Sequence, residues 1–187
     1  LLMALDNAET EKLRIKHKDH PSDEPLPFEP QGLSRTYILN KYYDVIDYKK
    51  TAKGWTTAFV PERMRGAKLT ADLLDAKTGK AVLKAGDKIS PRKAKKLAEE
   101  GLKSILVSEE ELFTKFASCD LVSPDTGEVV AQAGEELVET VLAKIDAAGI
   151  KALSTLFIDN ITVGSYLRDT LAADKNSNRE EALIDIY

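Results

Sequence analysis

An internal repeat constrains this chain more than any other feature. ADLLDAKTGKAVLKAGDKI begins at Ala71 and CDLVSPDTGEVVAQAGEEL begins at Cys119, a constant offset of 48 residues with no gap. Asp72 matches Asp120, Leu73 matches Leu121, Thr78 matches Thr126 and Gly79 matches Gly127. Val82, Ala85 and Gly86 match Val130, Ala133 and Gly134. The register runs on through Leu97 with Ile145, Gly101 with Gly149, Leu102 with Ile150 and Lys103 with Lys151. Glycines and apolar residues held at one offset mark a duplicated structural unit. Residues 71–103 and 119–151 are therefore expected to superpose.

Each copy reads as a hairpin followed by a helix and a last strand. The first strand ends at Thr-Gly, where glycine supplies the turn, and a second short strand ends at Ala-Gly. The helix follows, with Gly101 or Gly149 as its C′ residue. The last strand is Ser104–Val107 in copy one and Ala152–Phe157 in copy two. Ser90 and Pro91 make a good cap and first-turn pair, whereas Val138 leaves the second helix a weaker start. Ala94, Leu97 and Ala98 form one narrow apolar stripe, and Val141, Leu142 and Ile145 form the other. Asp72 and Asp120 are equivalent, which suggests a structural hydrogen bond at the hairpin base rather than a catalytic pair.

The copies differ in charge. Residues 72–103 hold nine Lys/Arg against five Asp/Glu, a net +4, while residues 120–151 hold two against seven, a net −5. Either both are solvated faces or one meets a charged partner. Lys88, Arg92, Lys93, Lys95 and Lys96 crowd the first helix and the turn before it. Because Ala94, Leu97 and Ala98 supply the inward stripe, these five are expected to point to solvent as a partner-docking face.

The rest of the chain carries no repeat. Leu1–Ile15 reads as a short amphipathic helix with Leu1, Leu2 and Leu5 as its apolar contacts. His17–Gly32 holds Pro21, Pro25, Pro27 and Pro30, so it reads as an exposed loop. Ser34 caps a helix to about Tyr42, with Tyr37, Ile38 and Tyr42 toward a core. Val45–Tyr48 and Trp55–Val60 read as a hairpin joined by KKTAKG, and VPERMRG (Val60–Gly66) as a linker. A short helix is expected near Tyr166 and another over Arg179–Tyr187, capped from the Asn176–Asn178 cluster, with Ala182, Leu183 and Ile186 apolar.

Composition narrows the function. A length of 187 residues allows one or two domains, and 43% hydrophobic residues suit a globular chain. A net charge of −4 argues against a stand-alone nucleic-acid binder. No apolar run approaches the roughly 20 residues of a membrane-spanning helix. One cysteine, Cys119, excludes an intramolecular disulfide and suits a reducing compartment. The chain lacks an initial Met and its last helix stops while still periodic, so both ends read as cut.

Nothing composes an active site. His17 and His20 lack a third metal ligand nearby, and Cys119 has no neighbouring His and matches Ala71 in the repeat. The Thr-Gly turns are followed by no phosphate-loop signature. Lys80 beside a hairpin glycine suggests a carrier lysine, but its counterpart is Glu128. Trp55, Tyr37, Tyr42, Tyr43 and Tyr48 read as core residues. No catalytic, cofactor-binding or metal-binding residue is assigned.

VPERMRG, the hairpin DAKTGKAVLKAGDKIS (Asp75–Ser90) and VGSYLRDTLAADKNSNREEALIDIY (Val163–Tyr187) resemble the β subunit of bacterial DNA-directed RNA polymerase. The last segment is the most specific, with Gly164, Tyr166, Thr170, Leu171, Asp174, Arg179, Ala182, Leu183, Ile186 and Tyr187 at the family's spacing. The resemblance covers nearly the whole chain apart from His17–Gly32. It implies a β lobe with a lineage-specific insertion. Residues 1–42 and 158–187 would be lobe scaffold and 43–157 the insert, with repeat units 71–107 and 119–157. The expected class is α+β, two tandem hairpin-plus-helix units in a mostly helical scaffold, with the chain's ends close together.

The resemblance also implies function. The parent enzyme would be a bacterial, cytoplasmic nucleotidyltransferase that makes RNA on a DNA template, and this piece would not hold the chemistry. Its partners would be the other polymerase subunits (the rest of β, β′, α, ω and σ), with regulators entering the secondary channel docking on the insert. DNA would be met only within the whole enzyme. The rivals are a free-standing protein-interaction module and a small enzyme with an uncommon site.

Overall fold

The fold is described from a computed structural model, which covers residues 2–5, 10, 12, 32–64, 66, 69, 71–176 and 178–187. The proline-rich stretch and both histidines lie outside the described residues. The class is α+β. The chain divides into two units, Leu1–Asp44 with Ile158–Tyr187, and Val45–Phe157.

The larger unit begins with a hairpin of β1 (Val45–Thr51) and β2 (Gly54–Ala58). The turn is tighter than the sequence suggests, because the ladder runs down to Thr51 opposite Gly54. Gly54 takes φ +123°, open to glycine, and the Thr51 hydroxyl donates to its carbonyl at 2.8 Å. β3 (Leu73–Asp75), β4 (Ala81–Leu83) and β5 (Ser104–Val107) come from copy one, and β6 (Leu121–Val122), β7 (Val129–Ala131) and β8 (Ala152–Leu156) from copy two. Six strands join one antiparallel sheet in the order β4-β3-β5-β2-β1-β8, and β6-β7 stand as a second sheet.

Successive residues of a strand point to opposite faces, and one face of the sheet carries most of the buried side chains. Tyr48, Trp55, Ile105, Val107, Leu153 and Leu73 are buried on that face, while Asp47, Lys49 and Ala152 on the other are exposed. The helices of the repeats, α2 (Pro91–Glu99) and α4 (Glu139–Ala147), contribute to the same core through Ala94, Leu97, Val141, Leu142 and Ile145. A one-turn helix, α3 (Glu109–Leu112), adds Leu112.

The two copies share backbone detail. Ala85 N–H donates to Asp72 Oδ1 and Ala133 N–H to Asp120 Oδ1, each at 2.7 Å, the bond anticipated at the hairpin base. Gly79 and Gly127 take φ +71° and +72° in the Thr-Gly turns. Ser90 Oγ accepts from Lys93 N–H, whereas Val138 caps nothing. The likeness extends upstream, since Gly66 and Thr114 both have positive φ, at +73° and +66°. The copies differ in one connection. β3 ladders onto β5, helped by Ala76 N–H donating to Ser104 O at 3.1 Å. Copy two has Pro124 at that place, without an N–H, and Ser118 N–H takes the Ser154 carbonyl instead. Accordingly, among the described residues, β6 pairs only with β7.

The unit starts and finishes on neighbouring strands, Val45 opposite Leu156. VPERMRG is no passive linker there. Arg63 donates to the Val45 carbonyl at 3.3 Å and sits 5.7 Å from the Phe157 ring centroid, bracing both ends of the unit.

The other unit's regular elements are helical, although over the whole chain the strands prevent a mostly helical fold. They are a 3-10 turn (Leu2–Ala4), α1 (Arg35–Tyr42), α5 (Tyr166–Ala173) and α6 (Arg179–Ile186). Ser34 caps α1 and Asn178 caps α6, as expected. Three expectations fail. Tyr37 and Tyr42 are exposed, and Leu39 joins Ile38 in the interior. At the N-terminus, Met3 is buried and Leu5 half exposed. Leu183 is half-buried and Ile186 exposed, so Ala182 alone carries the inward face of α6. Tyr43 is buried, donating to Gly164 O at 3.1 Å and accepting from Arg168 N–H at 3.3 Å. The 3-10 turn packs on α6, so the described ends of the chain lie close together. Gly32 sits beside that contact, where a Cβ would stand 2.3 Å from Met3 O and 2.8 Å from Arg179 Cβ.

Candidate docking surface

α2 owes its place to three local features. Ser90 and Pro91 start it, Ala94 and Leu97 pin it to the core, and Gly101 at φ +98° ends it. Everything between the buried positions is therefore outward. Lys88, Arg92, Lys93, Lys95 and Lys96 are all exposed. Lys93 pairs with Asp87 at 3.5 Å and Lys96 with Glu100 at 3.7 Å. Among the described residues no ion pair joins Lys88, Arg92 or Lys95. Exposed pairs of this kind contribute about 0–1 kcal/mol. Ala98 and Leu102, both half-buried, offer apolar margin to the basic face.

Copy two presents the opposite field on the same backbone. Glu136 replaces Lys88, Thr140 replaces Arg92 and Ala143 replaces Lys95. The helix forms in both cases, so Lys88, Arg92 and Lys95 are not required by the fold, whereas Lys96 is matched by Lys144.

Other charged groups serve the structure. Lys50 reaches the Asp146 carboxylate, lies 4.0 Å from Glu109 and sits 5.5 Å from the Trp55 ring centroid, tying β1 to α3 and α4. Nothing in the sequence pattern singled it out; only the register of β1 beside β2 brings it over Trp55. Burial raises Glu111 and lowers Lys115 relative to their ordinary values. Asp159 is held far below the usual carboxylate range by the Thr162 hydroxyl and the N–H groups of Val163, Ile161 and Thr162. That carboxylate shapes a turn. Cys119 is half-buried against the core. Lys80 and Glu128 both stand exposed beside their turns.

No group of three or more His, Cys, Asp or Glu that could hold a metal occurs among the described residues, and no helix there is long and apolar enough to cross a membrane.

No family model matches the chain. It is 42% identical over 168 residues to DNA-directed RNA polymerase subunit beta of Dinoroseobacter shibae, and 44% identical over 156 residues to that of Rhizobium etli. The same subunit of Caulobacter vibrioides is 44% identical over 156 residues. Each alignment covers 83% of this chain. The chain belongs to the RNA polymerase β-subunit family. It spans only 11–12% of the length of these curated relatives, and so represents one segment of a β subunit.

Proposed function

We propose that this β-subunit segment is a non-catalytic lobe element whose unit 45–157 is a lineage-specific insert that docks transcription regulators. The parent would be a cytoplasmic enzyme that polymerises ribonucleotides on DNA, with the remaining subunits as partners. The observation that carries the reading is α2, whose five basic side chains face solvent on a backbone that also folds with neutral or acidic residues at four of those positions, Lys144 alone matching Lys96. The insert reading is supported by Val45 lying opposite Leu156, because a unit that starts and finishes on paired strands can be carried on a scaffold without disturbing it. A basic face on an acidic chain speeds encounter with an acidic regulator more than it adds affinity.

The test is a reconstituted polymerase bearing Lys88→Glu, Arg92→Glu and Lys95→Glu. RNA chain extension without regulator should be unchanged. Association of a secondary-channel regulator should slow at least several-fold at low ionic strength, and the difference should fade as salt screens the field. Equal association rates at every salt concentration refute the docking role. Loss of unregulated extension refutes the non-catalytic one.

A further inference from the structure

The two copies differ at one strand edge. In copy one, β3 lies between β4 and β5, with Leu74 opposite Leu106 and Asp75 opposite Ile105. In copy two the equivalent strand, β6, has β7 on one side and no strand on the other, among the described residues. The strand that corresponds to β5 is β8, which is engaged by the segment ahead of β6. Ala117 bridges to Thr155, and Ser118 N–H donates to Ser154 O at 2.9 Å.

The open edge is formed by the backbone of Val122. Ser123 N–H donates to Glu128 O at 2.8 Å and Ser123 O accepts from Gly127 N–H at 2.9 Å, so Ser123 is turned toward β7. Backbone groups of successive strand residues point to opposite edges, so those of Val122 point away from β7. Copy one keeps the same phase. Asp75 N–H donates to Lys80 O at 3.0 Å within its hairpin, while the next residue, Ala76, donates outward to Ser104 O at 3.1 Å. Among the described residues, no backbone hydrogen bond reaches Val122 from outside its hairpin. Pro124 has no N–H at the place of Ala76, so the open edge ends there.

The side chains around this edge say what fits it. Val122 and Val129 stand opposite each other and are 47% and 53% exposed. Within residues 45–157, the exposed large apolar side chains among the described residues are these two and Val138, all in copy two. Asp125 and Glu128 are exposed in the same hairpin, and residues 120–151 carry a net −5. That field repels phosphate-bearing ligands and favours a basic polypeptide. A free strand edge with aliphatic side chains beside it suits an extended segment. Copy one supplies the template, since β5 sets Leu106 beside Leu74 at the equivalent edge. We propose that β6 receives an extended basic segment of a partner protein, added antiparallel at the place β5 holds in copy one, with an aliphatic side chain beside Val122. This uses neither α2 nor an acidic regulator and stands independently of the docking proposal.

The experiment is an amide NMR titration of the full 187-residue chain with a peptide carrying the β5 sequence SILV (Ser104–Val107) between pairs of lysines. Amide shifts should move over 120–131 and stay fixed over 72–83, the equivalent hairpin of copy one. Val122→Pro removes the outward N–H while leaving the Ser123 bonds, and should weaken binding about tenfold. Asp125→Lys/Glu128→Lys installs the residues that copy one carries at Lys77 and Lys80, so the hairpin keeps its fold. It should weaken binding about fivefold at low salt and less at high salt. Several outcomes would overturn the proposal: no shift over 120–131 up to about 1 mM peptide, unchanged affinity in both variants, or equal binding of a peptide with glutamates in place of the lysines. Dimerisation of the chain alone that Val122→Pro abolishes would also overturn it, by assigning the edge to a second copy. Failure of regulator docking at α2 leaves this titration unchanged, so the two proposals fail separately.

Discussion

Asp72 and Asp120 make the same bond in different surroundings. The Ala85 N–H is exposed and the Ala133 N–H is buried. Asp120→Ala should cost about 1–3 kcal/mol because it strands a buried donor, and Asp72→Ala about 0.5–1 kcal/mol. Chemical denaturation of the two variants checks the order. Thr114 is a β-branched residue at φ +66° where copy one has Gly66, so Thr114→Gly should stabilise the chain by up to about 1 kcal/mol despite added chain entropy. Tyr48 gives a pH test. Burial, opposed by the neighbouring Thr155 hydroxyl, pushes its phenol up to about 12. The folded state holds that proton more tightly than the unfolded one, so the stabilisation is complete below pH 10 and is lost as pH rises toward 12. Between about pH 10 and 12 the wild type should lose on the order of 2 kcal/mol more than Tyr48→Phe, read as the difference in denaturation midpoints.

At the scale of elements, capping separates the two repeat helices. Val138→Ser should give α4 the cap that α2 already has and raise stability by about 1 kcal/mol, and Ser90→Ala should lower it by a similar amount. Thermal melts of both decide it. The elements inside each copy were legible in the sequence because each is closed by local chemistry, such as a glycine at positive φ, a serine cap or an apolar stripe. The pairing of β5 with β2, which joins copy one to the first hairpin, was not legible, since nothing local encodes which strands become neighbours. The side of α1 that faces inward was misread, because the consecutive Tyr37, Ile38 and Leu39 spread over more than half a turn and leave the inward direction open. Arg63 was hidden in an apparent linker, its role set by Val45 and Phe157 far along the chain. The outward position of the five α2 residues could be read, because the three small apolar positions of that helix leave no other arrangement.

For the molecule as a whole, duplication separates fold from function. One backbone is written twice, first with a net +4 and then with a net −5, while both copies feed a single core. Where the copies agree, as at Asp72 and Asp120, the residues hold the structure. Where they disagree in charge, the surface is free to meet partners. That division underlies the regulator-docking role proposed for α2. The most direct measurement is hydrogen exchange of the intact polymerase with and without a bound secondary-channel regulator. The account predicts slowed exchange over residues 88–97, with the equivalent stretch 136–145 of copy two unchanged. Protection confined to copy two or to other parts of the enzyme, with 88–97 exchanging as before, would contradict it.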